Sequence, residues 1–168
     1  MKKFELTTEF ITNAFGKKLF RIKALVEFGN VKAGELGGYV EKEGNISQGG
    51  NAWVYGDAWV CDDAWVSGNA RVYGNARVYG DARVYGDAWV CGNADYALVQ
   101  GFGTEFRCTT FYRGKNKKIM VNCGCFHGDL EEFRKRVKET RNGKIAKEYL
   151  TIADLMEYHF ASEDSSDE

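Results

Sequence analysis

The sequence predicts a mainly β protein built around a left-handed parallel β-helix, and two observations carry that prediction. First, from Val54 the chain reads VYGDAW, VCDDAW, VSGNAR, VYGNAR, VYGDAR, VYGDAW, VCGNAD, seven six-residue units in phase. Valine recurs at 54, 60, 66, 72, 78, 84 and 90, an alanine follows each by four positions from Ala58 to Ala94, and Asn or Asp always precedes that alanine. Second, the chain holds 20 glycines and no proline. That composition suits tight corners joining backbone whose N–H groups are in use.

Each position of the unit has a physical task. The valine points inward from a short strand, and the small alanine fits the crowded interior beside the corner. Gly-Asn and Gly-Asp tolerate the positive φ that a sharp corner demands. Three units make a coil of 18 residues, and coils stack by parallel pairing at ~4.8 Å. Val40 and Ile46 repeat the spacing of six upstream, through VEKEGN and ISQGGN, so the β-helix is expected over residues 31–99, in roughly four coils.

The flanks differ. Residues 1–30 are expected to form an N-terminal β cap. The alternating KLFRIKALVEF has Leu19, Ile22 and Leu25 as candidates for burial, after a turn at Gly16-Lys17-Lys18. A solenoid needs such caps because an open end exposes apolar core and unpaired backbone. Residues 102–160 are expected to form a ββαα unit. Its strands FRCTTFYR and KIMVNCGC flank a turn at Gly114-Lys115-Asn116-Lys117. Asp129 opens a helix with Glu132 placed for a capping box, with Leu130, Phe133 and Val137 on one face. A second helix follows from about Lys144 to Phe160, with Ile145, Tyr149, Ile152, Met156 and Phe160 on one face. Residues 161–168 are expected to be a disordered acidic tail.

Residues 18 apart should stack. That puts Trp53, Arg71 and Trp89 in one column, Trp59, Arg77 and Asp95 in a second, and Trp65 with Arg83 in a third. These positions alternate with the inward valines, so they are expected to face outward, with Arg71 held between two indoles. Tyr73, Tyr79 and Tyr85 stack beside them, Tyr73 under Tyr55. Together they are the candidate binding residues. Trp, Tyr and Arg are the usual anchors of protein interfaces, and the same groups stack bases and pair phosphates. Self-association as a dimer or trimer, a protein partner and a small nucleotide ligand all remain open.

Composition excludes little else. Net charge is −1, with 23 basic and 24 acidic residues, so no global excess points to nucleic acid or membrane. The opening MKKFELTTEF lacks the apolar core of a signal peptide, and no apolar run approaches the ~20 residues of a membrane span. A cytoplasmic location is expected, with the five cysteines reduced. Pairing Arg113 with Lys118 would set Cys108 opposite Cys123, with Cys125 on the same face and His127 two residues on. These four are candidate zinc ligands, but C-x-C within one strand is not the usual knuckle, and three small thiols packed beneath helices are the preferred account, with no metal expected. No cofactor is expected. Lys115, Lys117, Lys118, Arg134, Lys135, Arg136 and Lys138 form a basic cluster.

The hexads resemble the hexapeptide-repeat family. The order FRIKALVEFGNVKAGELGGYVEKEGNIS, then the hexads, then NCGCFHGDLEEFRKRVKE is similar to a family of small phage and prophage proteins, across nearly the whole chain. The LGGYVE and GCFHGDLEEF segments carry the likeness outside the repeats. The resemblance implies a left-handed β-helix and a viral origin in a bacterial host, and brings no settled activity or catalytic residues. Hexapeptide-repeat proteins are often acyltransferases that use a histidine base at a subunit cleft. Here the only histidines are His127 and His159, both outside the repeats, and no excursion interrupts Val54 to Val90. The expected function is a non-catalytic phage accessory protein, an oligomer that inhibits a host defence protein by surface contact. A nucleotide sponge and an acyltransferase are the alternatives.

Overall fold

A computed structural model describes residues 1–161, apart from the side chain of Ala94; the expected tail over 162–168 lies outside the described residues. Seven two-residue strands, β4 to β10, occupy Trp53–Val54, Trp59–Val60, Trp65–Val66, Arg71–Val72, Arg77–Val78, Arg83–Val84 and Trp89–Val90. Ahead of them lie β1 (Phe4–Thr12), β2 (Lys18–Ala24) and β3 (Leu36–Val40). After them come β11 (Tyr96–Phe102), β12 (Arg107–Arg113), β13 (Ile119–Cys123), β14 (Phe126–Asp129), α1 (Leu130–Thr140) and α2 (Gly143–Phe160).

The short strands stack as a β-solenoid. One column runs β4, β7, β10, a second β3, β5, β8, and a third β6, β9. All pairings within them are parallel. Every valine from Val54 to Val90 is fully buried, as are Ala58, Ala70, Ala76, Ala82 and Ala88. Fully burying one such valine stabilises by roughly 1.5–3 kcal/mol, and the interior is this one stack repeated. The corners turn through glycines at positive φ, including Gly56, Gly68, Gly74, Gly80 and Gly86.

The first coil departs from the 18-residue rule. Val40 pairs with Val60 and Ile46 with Val66, an offset of 20 because the segment between Ile46 and Val54 carries two extra residues. The second column is therefore Tyr39, Trp59, Arg77, and Asp95 is not in it. The last coil also ends early. Tyr96 already pairs antiparallel with Tyr112, so the solenoid comprises three coils rather than four and the C-terminal sheet begins at Tyr96, not at 102. That sheet has four strands in the order β11-β12-β13-β14, which corrects the ββαα expectation.

The N-terminal end is closed by the β1–β2 hairpin, which pairs through β2 with β3 and extends the second column. Phe4, Ile22 and Ala24 are buried in the solenoid core. Leu25 is exposed, against expectation, because β2 ends at Ala24 after turning Ile22 and Ala24 inward. Phe4 and Phe28 cover the Trp53 indole at 6.0 and 5.3 Å between ring centroids. Lys3, itself buried, sets its ammonium on the Ala52 carbonyl oxygen at 2.9 Å and over the Phe28 ring. Desolvation lowers that ammonium to about 8.

The C-terminal sheet closes the other end by completing the hydrogen bonds of the last coil. Arg83 would pair with a further coil. Instead its N–H donates to Thr110 Oγ1 at 3.0 Å, and Asn122 Nδ2 donates to its carbonyl at 2.7 Å. Tyr112, fully buried, donates its hydroxyl to the Tyr85 carbonyl at 2.9 Å. Asn93 and Tyr96 do the same for the N–H and carbonyl of Arg77. Unpaired backbone groups at a solenoid end are thus satisfied by side chains of the cap. Asp95 accepts from the Cys91 N–H and pairs with Arg113 at 3.0 Å.

The two helices pack on the other face of this sheet through Phe133, Val137, Tyr149, Ile152 and Phe160. Asp129 is the N-cap of α1 and exchanges hydrogen bonds with Glu132 at 3.0 and 2.8 Å. Asp129→Ala should cost about 1 kcal/mol in a urea titration, with the midpoint shifted and the slope unchanged. Arg134 is nearly enclosed by Glu131, Asp154 and Glu157, and Lys118 pairs with Asp129. The basic cluster is therefore broken up, since its central arginine ties α1 to α2. No helix among the described residues is long and apolar enough to cross a membrane.

Candidate binding faces

Each side of the solenoid carries one Trp–Arg–Tyr set, because the residue before each inward valine points out. On the first column Arg71 lies over Trp89, with its guanidinium carbon 5.5 Å from the ring centroid. Tyr55, Tyr73 and Asn30 complete a groove of about 400 Å³. Trp53 shares this register with Arg71 but is fully buried and contributes nothing to the surface. The expectation of an arginine between two exposed indoles is corrected: the N-terminal segment lies on one of them.

On the second column Arg77 lies 5.6 Å from the Trp59 ring centroid. Tyr79 packs against Trp59 at 6.3 Å and against Tyr96 at 6.5 Å. The third column pairs Trp65 with Arg83. With Tyr85, Cys108, Asn122 and Gly124 they line a groove of about 420 Å³. Burial raises the hydroxyls of Tyr73 and Tyr85 above their usual range, so both remain protonated donors. Exposed cation–π pairs are worth about 0.5–1 kcal/mol, which orders the arginines without adding much stability.

The candidate zinc ligands do not converge. β12 and β13 pair Arg113 with Ile119, one residue off the expected register, so Thr109 and not Cys108 stands opposite Cys123. The turn causes this: Lys118 belongs to it, with the Gly114 N–H bonded to the Lys118 carbonyl and Lys117 at positive φ. Thr109 donates its hydroxyl to Cys123 Sγ at 3.1 Å, and Cys125 is exposed. Among the described residues, the one group of three such ligand atoms that converges is Glu41, Cys61 and Asp62. There the Lys17 ammonium already supplies the positive charge, paired with Asp62 and with Glu41 at 3.5 Å. Burial and the Asp62 carboxylate push the Cys61 thiol up to about 12.

His127 is held by the cap. Its ring stacks on Tyr85 at 4.2 Å, and Nδ1 lies 2.7 Å from Asn122 Oδ1. Asn122 Nδ2 is engaged with the Arg83 carbonyl, so Oδ1 accepts and Nδ1 carries the proton. Burial holds the imidazole below its ordinary value of 6.5. An unfolded chain takes the proton at higher pH than the folded one, so this group's stability is present above about 6.5 and lost as pH falls through the lowered folded value. A melting temperature measured between pH 7.5 and pH 5.5 should fall slightly for the natural chain, and less for His127→Gln. The effect stays small because the ring is partly exposed.

The geometry sets these sites in a defined repeat context. Residues 64–78 and 76–92 match the YdcK beta-solenoid repeat. The match spans β6 to β10 and the outward Arg71, Arg77, Arg83 and Trp89. None of the curated proteins compared with the chain is significantly similar to it.

Sequence reasoning missed the contribution of the N-terminal hairpin. Asn13, Phe15 and Lys17 join Trp59, Arg77, Tyr79 and Asn93 in lining a groove of about 570 Å³. The signal was a break in the repeat at VCDDAW, where Cys61 and Asp62 replace the usual Tyr and Gly.

Proposed function

We propose that this is a non-catalytic accessory protein of phage origin, wound as a left-handed β-helix, that docks a host defence protein on its solenoid faces as a homo-oligomer. The observation that carries the reading is the recurrence of one arrangement on three sides. Arg71 on Trp89, Arg77 on Trp59 and Arg83 beside Trp65 stand on a hydrogen-bonded ladder, and none has a carboxylate partner among the described residues. Aromatic side chains lose little entropy on binding, and Trp, Tyr and Arg are the side chains that dominate interface energetics. The hexad period supports the winding, the repeat match supports the solenoid alone, and the likeness of the flanking segments to phage proteins supports the origin. The cytoplasm of an infected or lysogenic bacterium is the matching location.

The nucleotide reading draws on the same groups, since Tyr55, Arg71, Tyr73 and Trp89 offer rings and a charge in one groove. The test separates the two. Arg71→Glu should weaken capture of the partner from host extract by more than about 30-fold, the scale of an interface hot spot, while the melting temperature stays put. Unchanged capture would remove this face from the account. A nucleotide released by denaturing the purified protein, with no protein partner, would favour the sponge. Acetyl-CoA turnover lost in His127→Ala would make it an enzyme.

A further inference from the structure

We propose that the groove beneath the N-terminal hairpin tip binds a short extended segment of a protein partner, one carrying an aromatic side chain next to an acidic residue. The proposal deepens the docking reading above and rests on it. This is the face where the repeat is altered. The residue after Cys61 takes the corner conformation at φ 59 without being glycine, which costs a β-carbon residue strain that the other corners avoid with glycine. Asp62 uses the position to accept from the Gly80 N–H at 3.0 Å and to pair with Lys17. The consequence is an anchored loop: Asn13 to Lys17 is folded on itself by the Asn13 side chain, which accepts from the Phe15 and Lys17 N–H groups, and the loop is tied down at Lys17.

Anchoring fixes an aromatic residue in water. Phe15 is 87% exposed, and Tyr79 across the groove is 54% exposed. With Trp59 they line one groove, and a contiguous apolar patch, unlike a single exposed ring, marks an interaction site. The polar groups of the groove lean one way. Lys17 and Asp62 satisfy each other. Arg77 is exposed and has no carboxylate partner among the described residues. A free guanidinium beside three aromatic rings calls for a ligand that sets a carboxylate next to an aromatic side chain.

The shape favours a chain over a compact molecule. A second hollow of about 380 Å³, lined by Gly80, Tyr96, Ala97 and Leu98, shares Tyr79 and Asn93 with the first. The two hollows adjoin there, one on the hairpin-tip side and the other on the β11 side. Coils are ~4.8 Å apart, so the two together take several residues of extended peptide at about 3.3 Å each.

The full-length protein is panned against a random-peptide phage library, and the consensus peptide is synthesised and titrated by calorimetry. Recovered peptides should share an aromatic residue within two positions of Asp or Glu. Their affinity should fall at least about tenfold in Phe15→Ser, Tyr79→Ser and Arg77→Glu, exposed positions whose substitution lowers the melting temperature by no more than a few degrees. No enriched peptide, or equal binding by all three variants, overturns the site. A concentration-dependent dimer abolished by Phe15→Ser also overturns it and puts a second copy of this chain in the groove. If Arg71→Glu loses the host partner while Phe15→Ser and Tyr79→Ser keep it, this site fails and the wider docking reading stands.

Discussion

Trp53→Ala should lower stability by about 3–5 kcal/mol, the range for deleting a fully buried tryptophan. Trp89→Ala should change it by less than about 1 kcal/mol. The two residues occupy the same place in the repeat, each between an alanine and a valine and each in register with Arg71. Their environments differ entirely. Trp53 is enclosed by Phe4, Phe28 and the first coil, so its removal leaves a cavity at the junction of cap and solenoid. Trp89 stands at the surface with Arg71 across its ring. Urea titrations of the two variants read the difference directly. Comparable losses would mean that the N-terminal segment does not seal the first coil as described.

Gly38→Ala should cost about 3 kcal/mol, the upper part of the usual range for overpacking. A β-carbon at Gly38 would lie 2.4 Å from the Ala58 carbonyl oxygen and 2.6 Å from Val54 Cγ1, and one at Gly37 would lie 2.6 Å from the Val54 carbonyl oxygen. The backbone of β3 crosses close over the solenoid end, and neither neighbour is the free tip of a flexible side chain. Gly44→Ala is the control, because nothing lies within 4 Å of its β-carbon and its change should stay within about 0.5 kcal/mol. Thermal melts of the two alanine variants should separate clearly. Equal melting temperatures would show that β3 stands off the coil.

The interior was legible in the sequence because a period of six speaks for itself: Val54 to Val90 are inward wherever their neighbours lie. The surface was less legible because the repeat specifies only which residues point out, not what covers them. Trp53 and Trp89 have the same local sequence and opposite burial for that reason. The end of the solenoid was misplaced because Asp95 and Tyr96 keep the hexad phase while leaving the ladder, drawn off by antiparallel pairing with β12. The register at Cys123 slipped because the turn after Arg113 takes in Lys118. The paired glycines of LGGYVE carry a likeness to a family in the sequence, but their physical task lies in how close β3 comes to Ala58 and Val54. The hairpin groove had one trace in the sequence, the substitution of Cys61 and Asp62 within an otherwise regular array.

We propose that inward residues and caps hold the fold while the outward Trp–Arg columns hold a protein partner. This is tested most directly by native mass spectrometry of the protein recovered from bacterial extract, natural chain beside an Arg71→Glu, Trp89→Ala double variant. The account predicts a stoichiometric protein partner on the natural chain. The variant should carry none, at a melting temperature within a few degrees. A partner retained by the variant, or a natural chain found at its own mass of 18.9 kDa with nothing bound, would contradict it.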